Sequence, residues 1–92
     1  MNLDSVVSLC AEQVSCDFGG EAAILNLKNG AYYGLNPVGA RIWSLLAVPT
    51  RVAAVRDTIV QEYDVEPERC EADLFDLLEQ LVAEDLVRIS DP

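Results

Sequence analysis

The sequence contains no histidine and only six basic residues among 92. Without histidine, a conventional Ser-His-Asp or Cys-His catalytic site cannot be built from this chain. The basic residues are spread along the sequence, whereas a nucleic-acid surface needs several of them clustered against phosphate. Sixteen acidic residues give a net charge of −10. This balance points to a basic or neutral protein or peptide partner rather than to nucleic acid.

Long apolar runs and paired cysteines are also missing. No apolar run reaches the roughly 18 residues of a membrane span, and Met1 is not followed by a basic region and an apolar core, so we expect neither a signal peptide nor a membrane anchor. Three cysteines are an odd number and lack metal-ligand spacing, so we expect reduced thiols in a cytoplasmic protein. The glycines do not form a phosphate-binding loop. We therefore predict a non-enzymatic protein with no cofactor and no metal.

The sequence does contain enough apolar residues for one folded domain, and it carries local signals for a hairpin and for the start of a helix. Apolar residues make up 51% of the chain, which is enough for a single modest core over residues 1–92. Asn29-Gly30 separates two apolar runs and predicts a β-hairpin. Asn36 followed by Pro37 then predicts the start of a helix.

The register of this hairpin follows from which residues it should bury. We expect a three-residue loop, 28–30, with Gly30 in the left-handed region and Leu25 paired with Tyr33. This register puts five apolar side chains on one buried face. They are Ala23, Leu25, Leu27, Tyr33 and Leu35.

The remaining elements are predicted from periodicity. One or two short strands within residues 1–18 should pair with the strand 23–27, which leaves residues 31–35 at the other edge of the sheet. Three helices should follow, and a short strand or extended tail should end the chain. The helices are expected at 37–47, 51–63 with Thr50 as cap, and 67–84. The predicted class is α+β, a small winged-helix-like domain with a three-stranded antiparallel sheet followed by three helices.

Two features exceed what folding alone requires. Residues 31–35 carry no charge and no proline, although exposed edges are usually protected by such residues. The third helix has an apolar arc of about 160°, wider than the ~100° needed to rest on one core. These features predict a groove in which an extended peptide adds a strand to the edge and buries side chains against the helix. The predicted peptide-binding residues are Ala31, Tyr32, Tyr33, Gly34, Leu35, Glu71, Phe75, Leu78, Glu79 and Val82.

Simpler interpretations remain open at this point. The amino-terminal segment, the tail or a second copy of the chain could cover the edge strand. The extra apolar width of the third helix could pack on the second helix or on the tail. Asp73 and Asp76 lie one helical turn apart, but a solvated helix face explains them better than a cation site does.

The sequence LNLKNGAYYGLNPVGARIWSLL, with DLFDLLEQLVAEDLV further on, resembles the PqqD-like family of peptide-recognition domains, also called RiPP recognition elements. The likeness covers residues 5–89, and its most specific part is G-x-Y-Y/F-x-L-N-x-x-G-x-x-I-W. The chain looks most like the free-standing leader-binding proteins of lasso-peptide pathways. Asp85 stands where many relatives have glycine, and aspartate tolerates the left-handed conformation expected there.

The resemblance implies a role that the residues alone do not establish. It implies that the leader of a ribosomally made precursor peptide pairs antiparallel with residues 31–35 and lies against the third helix. It further implies delivery to a separate leader peptidase, after which a cyclase closes the ring. Alternatives are a chaperone that presents a precursor to a radical-SAM enzyme, a winged-helix nucleic-acid-binding protein, which the acidity disfavours, and an acidic adaptor that dimerises through residues 31–35.

Overall fold

A computed structural model describes residues 1–91 as two three-stranded antiparallel sheets and three helices. The first sheet has the order β2–β3–β4, with β2 at Gln13–Phe18, β3 at Glu21–Asn26 and β4 at Tyr32–Leu35. The second has the order β5–β1–β6, with β5 at Thr50–Arg51, β1 at Val6–Leu9 and β6 at Val87–Ser90. The helices are α1 at Pro37–Leu45, α2 at Val52–Glu62 and α3 at Pro67–Ala83. The predicted α+β class, with the hairpin sheet followed by three helices, is confirmed.

The second sheet is a feature that the sequence patterns did not predict. β2 is the expected partner of β3, but β1 pairs with β5 and β6 instead. Thr50, predicted to cap the second helix, lies in β5 opposite Val7. Its hydroxyl donates to the carbonyls of Leu45 and Val48 at 3.1 and 2.7 Å. Because the hydroxyl bonds to these two carbonyls, it does not cap α2, and the β-branched side chain suits a strand.

The predicted hairpin register is wrong by one residue. Ile24, rather than Leu25, lies opposite Tyr33, and the loop has four residues, Leu27–Gly30. The N–H of Gly30 bonds to the carbonyl of Asn26 at 2.8 Å, and Gly30 adopts the expected positive φ of 73°. Ile24 is consequently fully buried, whereas Leu27 is exposed. The buried face of the hairpin therefore consists of Ala22, Ile24, Asn26, Tyr33 and Leu35.

Asn26 explains why the chain adopts this register. Its side chain is buried, and its Nδ2 donates to the carbonyl of Glu84 at 2.8 Å. Its Oδ1 accepts the N–H of Lys28 at 2.8 Å. A buried amide is stable only when its polar atoms are paired, and here both are. Asn26 therefore connects the hairpin to the end of α3.

The two helix ends that border the hairpin form as the sequence indicates. Asn36 caps α1 by accepting the N–H of Gly39 at 2.8 Å, and Pro37 occupies the first turn. Asp85, at φ 58°, ends α3 in a Schellman motif. In this motif the N–H of Leu86 bonds to the carbonyl of Leu81 at 2.9 Å. Within residues 1–91, no helix combines the length and the apolar character needed to cross a bilayer.

We expect Asn26→Ala to lower the free energy of unfolding by about 1–3 kcal/mol, because it leaves buried polar groups without a partner. The matched control is Asn29→Ala, which removes an exposed acceptor of the Ala31 N–H and should cost less than about 1 kcal/mol. Urea denaturation of both variants measures the difference. Equal stabilities would show that the link from the hairpin to α3 contributes nothing.

Candidate functional site

β4 is an open edge of the hairpin sheet. Among the residues described, it pairs with β3 alone, and both chain ends pair elsewhere. The interpretation in which the amino-terminal segment or the tail covers this edge is therefore excluded. Asn26 donates its N–H to the carbonyl of Ala31 at 2.9 Å. Because bonded positions alternate along an antiparallel strand, Tyr33 and Leu35 bond toward β3, while the N–H and C=O of Tyr32 and Gly34 face outward.

A cavity of about 500 Å³ lies beside this edge. β4 contributes Tyr33, Gly34 and Leu35, and all three helices contribute apolar side chains to its walls. Asp73 is the one charged residue in its lining. The site thus combines free backbone groups on one wall with apolar side chains on the others. Residues of the three helices that line it include Val38, Ile42, Ile59, Cys70, Leu74 and Leu77, and Tyr63 joins them from the end of α2.

Local packing fixes the walls of this cavity. A Cβ added to Gly39 would lie 3.3 Å from both Asn36 Oδ1 and Leu35 Cδ2, so glycine allows α1 to turn closely against the end of β4. On the opposite wall, the hydroxyl of Tyr33 donates to Gln80 Oε1 on α3. This hydrogen bond links the strand to the helix, and residues of both β4 and α3 line the cavity.

Two ion pairs connect the helices that form the walls. Arg41 on α1 contacts Glu62 on α2 at 2.7 Å, and Arg56 on α2 contacts Glu71 on α3 at 2.9 Å. The hydrogen bond from Arg41 holds the pKa of Glu62 below its ordinary value. Both pairs lie near the surface, where ion pairs contribute little to stability. Glu71, predicted at the rim of the groove, therefore faces α2.

The residues of α3 that line the cavity differ from the flank that the sequence predicted. Leu78 is fully buried in the core, and Val82 lines a second cavity together with β6 and Lys28. Phe75 is half-buried against the core and Glu79 is exposed, and neither lines the cavity. Peptide contact by these residues stays a prediction that the position of the cavity does not favour.

The sequence predicted the width of the apolar arc of α3 but not which side of it faces β4. One half of the arc contained Cys70, Leu74 and Leu77, and that half lines the cavity. Asp73, Leu77 and Gln80 lie at positions i, i+4 and i+7 on one stripe of this helix. Because Gln80 bonds to Tyr33, this stripe faces β4.

One ionisable thiol, that of Cys70, lines the cavity. Cys70 is the cysteine beside it, and burial, followed by the charge of Asp73, raises the pKa of its thiol. A raised pKa keeps the thiol protonated and a poor nucleophile. Within residues 1–91, no group of three acidic or thiol side chains is arranged to hold a metal ion.

Comparison with known proteins shows the family and the fold. Residues 21–87 match the family described as coenzyme PQQ synthesis protein D (PqqD). The solved structure "TbiB1 in Complex with the TbiA(beta) Leader Peptide" is 37% identical, with a TM-score of 0.83 over 88% of this chain and 94% of that one.

A second solved structure, "Lasso peptide synthetase B1 complexed with the leader peptide", has the same fold. It is 24% identical, with a TM-score of 0.79 over 89% of this chain and 96% of that one. No curated protein matches the chain. The family match spans most of the sequence and the first structure exceeds 30% identity, so the chain belongs to the PqqD family.

Proposed function

We propose that this chain binds the leader segment of a ribosomally made precursor peptide in lasso-peptide biosynthesis. The observation that carries the proposal is the open edge of β4 beside an apolar cavity. The likeness to a leader-peptide complex at 37% identity supports the same function. The role is that of a carrier rather than an enzyme: it delivers the precursor to a separate leader peptidase and then to a cyclase.

The peptide adds a fourth strand, antiparallel to β4, which is how the other strands of this sheet pair. Its backbone bonds to the outward N–H and C=O groups of Tyr32 and Gly34. Peptide residues opposite Tyr33 and Leu35 point to the same face as those two side chains, and that face opens into the cavity. Burial of two or three such side chains contributes several kcal/mol, which after ordering costs gives about micromolar affinity.

We revise the set of contact residues according to the residues that line the cavity. It keeps Tyr32, Tyr33, Gly34 and Leu35, and it replaces the Phe75 flank by the Leu77 flank. Asp73 and Gln80 provide polar groups at the border of this wall. The nucleic-acid alternative is not favoured, because α3 exposes Asp73, Asp76 and Glu79 and would repel phosphate.

Gly34→Pro tests the strand addition directly. Proline removes one of the two outward N–H groups of β4 and leaves the bonds to β3 intact, as an edge position tolerates. We expect leader affinity to fall at least tenfold, since one backbone bond is lost and the ring obstructs the approaching strand. Fluorescence anisotropy with a labelled synthetic leader measures this affinity.

The matched control for this experiment is Ser15→Pro. Leu27 donates its N–H to the carbonyl of Glu12, so by alternation the N–H of Ser15 also faces away from the sheet, but at the opposite edge. This variant should bind the leader as the wild type does. Equal affinities of both folded proline variants, or equal losses, would contradict strand addition at β4.

A second pair of variants tests which flank of α3 contacts the peptide. Leu77→Ala removes part of the cavity wall and should weaken leader binding by about 1–2 kcal/mol. Phe75→Ala, a truncation on the other flank of the same helix, should leave binding within a factor of two. Isothermal titration of the two variants distinguishes them, with circular dichroism to confirm folding. The opposite ranking would restore the Phe75 flank as the contact surface.

A further inference from the structure

β2 is a second open edge of the hairpin sheet, on the side away from β4. Among the residues described, β2 pairs with β3 alone. Leu27 donates its N–H to the carbonyl of Glu12 at 3.0 Å. By alternation along an antiparallel pair, every second residue of β2 then points its N–H and C=O away from β3. These outward residues are Gln13, Ser15 and Asp17.

The composition of β2 leaves this edge largely unprotected. The strand contains neither proline nor lysine, the residues that usually keep an exposed edge from pairing. Val14 and Phe18 are each 53% exposed, and a neighbouring strand would cover one flank of such side chains. Asp17 is the one charged residue of β2. A strand that pairs here must therefore not bring a second carboxylate against Asp17.

β2 is complementary to a second copy of itself in one antiparallel register. Outward groups must meet outward groups, so the three outward residues can bond only to one another. When Ser15 lies opposite Ser15 of the second copy, Gln13 lies opposite Asp17, and all three residues form backbone bonds. A shift by two residues in either direction would place Asp17 opposite Ala11 or Gln13 opposite Gly19, outside the strand. We call the arrangement that uses the whole strand the Ser15-centred register.

The side chains of β2 also suit the Ser15-centred register. Gln13 Oε1 is buried and has no hydrogen-bond partner within residues 1–91. The second copy brings its Asp17 carboxylate opposite the Gln13 amide and its Ser15 hydroxyl diagonally across from it. The carboxylate is an acceptor for the amide nitrogen, and the hydroxyl is a donor for the amide oxygen.

The same register keeps the two Asp17 carboxylates apart. They are four residues from each other along the paired strands, which is roughly 13 Å. Charges at the surface are largely screened beyond about 8 Å at physiological salt. The net charge of −10 therefore opposes this contact only weakly.

We propose that two copies of the chain associate through β2 in the Ser15-centred register, with a two-fold axis at Ser15. The two three-stranded hairpin sheets then form one continuous sheet, with a β4 edge open at each end. Five strand spacings separate the two β4 strands by roughly 24 Å, so each copy keeps its own groove. The contact involves one strand from each copy and is smaller than the about 800 Å² per partner of stable complexes. The dimer is therefore weak and depends on concentration.

Ser15→Pro tests the contact, with Gly34→Pro as the matched control. Ser15→Pro removes the central N–H of the contact from both copies and leaves the bonds to β3 intact. Sedimentation equilibrium should show that it weakens the wild-type dimer at least tenfold, because two backbone bonds are lost. Gly34→Pro makes the same change at the other edge and should dimerise as the wild type does. Circular dichroism confirms that both variants are folded.

Two outcomes would overturn the proposal. The first is a wild type that stays monomeric up to about 1 mM. The second is a dimer that persists in Ser15→Pro, and its loss in Gly34→Pro alone would assign the contact to β4. The proposal does not depend on leader binding, so a wild type that dimerises but binds no synthetic leader would refute the proposed function only.

Val14→Cys tests the register itself. Val14 and Cys16 bond toward β3, so across the contact Val14 and Cys16 of the second copy form a non-hydrogen-bonded pair with Cα atoms about 4.5 Å apart. This separation lies within the about 4.4–6.8 Å that a disulfide spans. Oxidised glutathione, which accepts the electrons of the two thiols, should therefore convert the variant to a covalent dimer on non-reducing gels, and dithiothreitol should reverse it.

The matched control is Val48→Cys, which places a thiol at an exposed position outside both sheets. It should form at least tenfold less covalent dimer than Val14→Cys under the same conditions, and so should the wild type. Equal cross-linking of the two variants, or none in Val14→Cys, would overturn the Ser15-centred register.

Discussion

The buried side chain of Asn26 determines the arrangement on which the site depends. Its bonds to the Glu84 carbonyl and the Lys28 N–H keep the hairpin in a register in which Ile24 lies opposite Tyr33. In a sheet, a shift of one residue exchanges the two faces of a strand. The register therefore decides that Tyr33 and Leu35 contribute to the cavity, and that Tyr32 and Gly34 offer their backbone groups to a partner.

The sequence predicted those parts of the structure whose signals are local. Asn29-Gly30 located the hairpin, Asn36-Pro37 the start of α1, and the uncharged segment 31–35 the open edge. Each depends on the chemistry of one or two adjacent residues, which the sequence displays directly. The predicted fold class was inferred from these signals together with the helical periodicity.

What sequence reasoning missed depends on contacts between distant residues. Asn26 was not expected inside, because a polar residue in a strand is buried only if a partner exists, and the Glu84 carbonyl is 58 residues away. The orientation of the apolar arc of α3 was also ambiguous. The orientation of this arc depends on the packing of α3 against α2 and β6. In that packing Leu78 is buried in the core, and Leu77 lines the cavity beside β4. The separate sheet around β1 was not predicted either, since its partners β5 and β6 lie far along the chain.

The brevity of β4 has a consequence for what the protein can carry. Four residues of strand span only about 13 Å, so the segment held in the groove is a small part of any precursor. Residues beyond that span cannot pair with β4, so strand addition places no constraint on their sequence. An unrelated polypeptide that carries the same short segment would therefore be bound as well. One carrier of this kind is compatible with precursors that differ elsewhere in sequence.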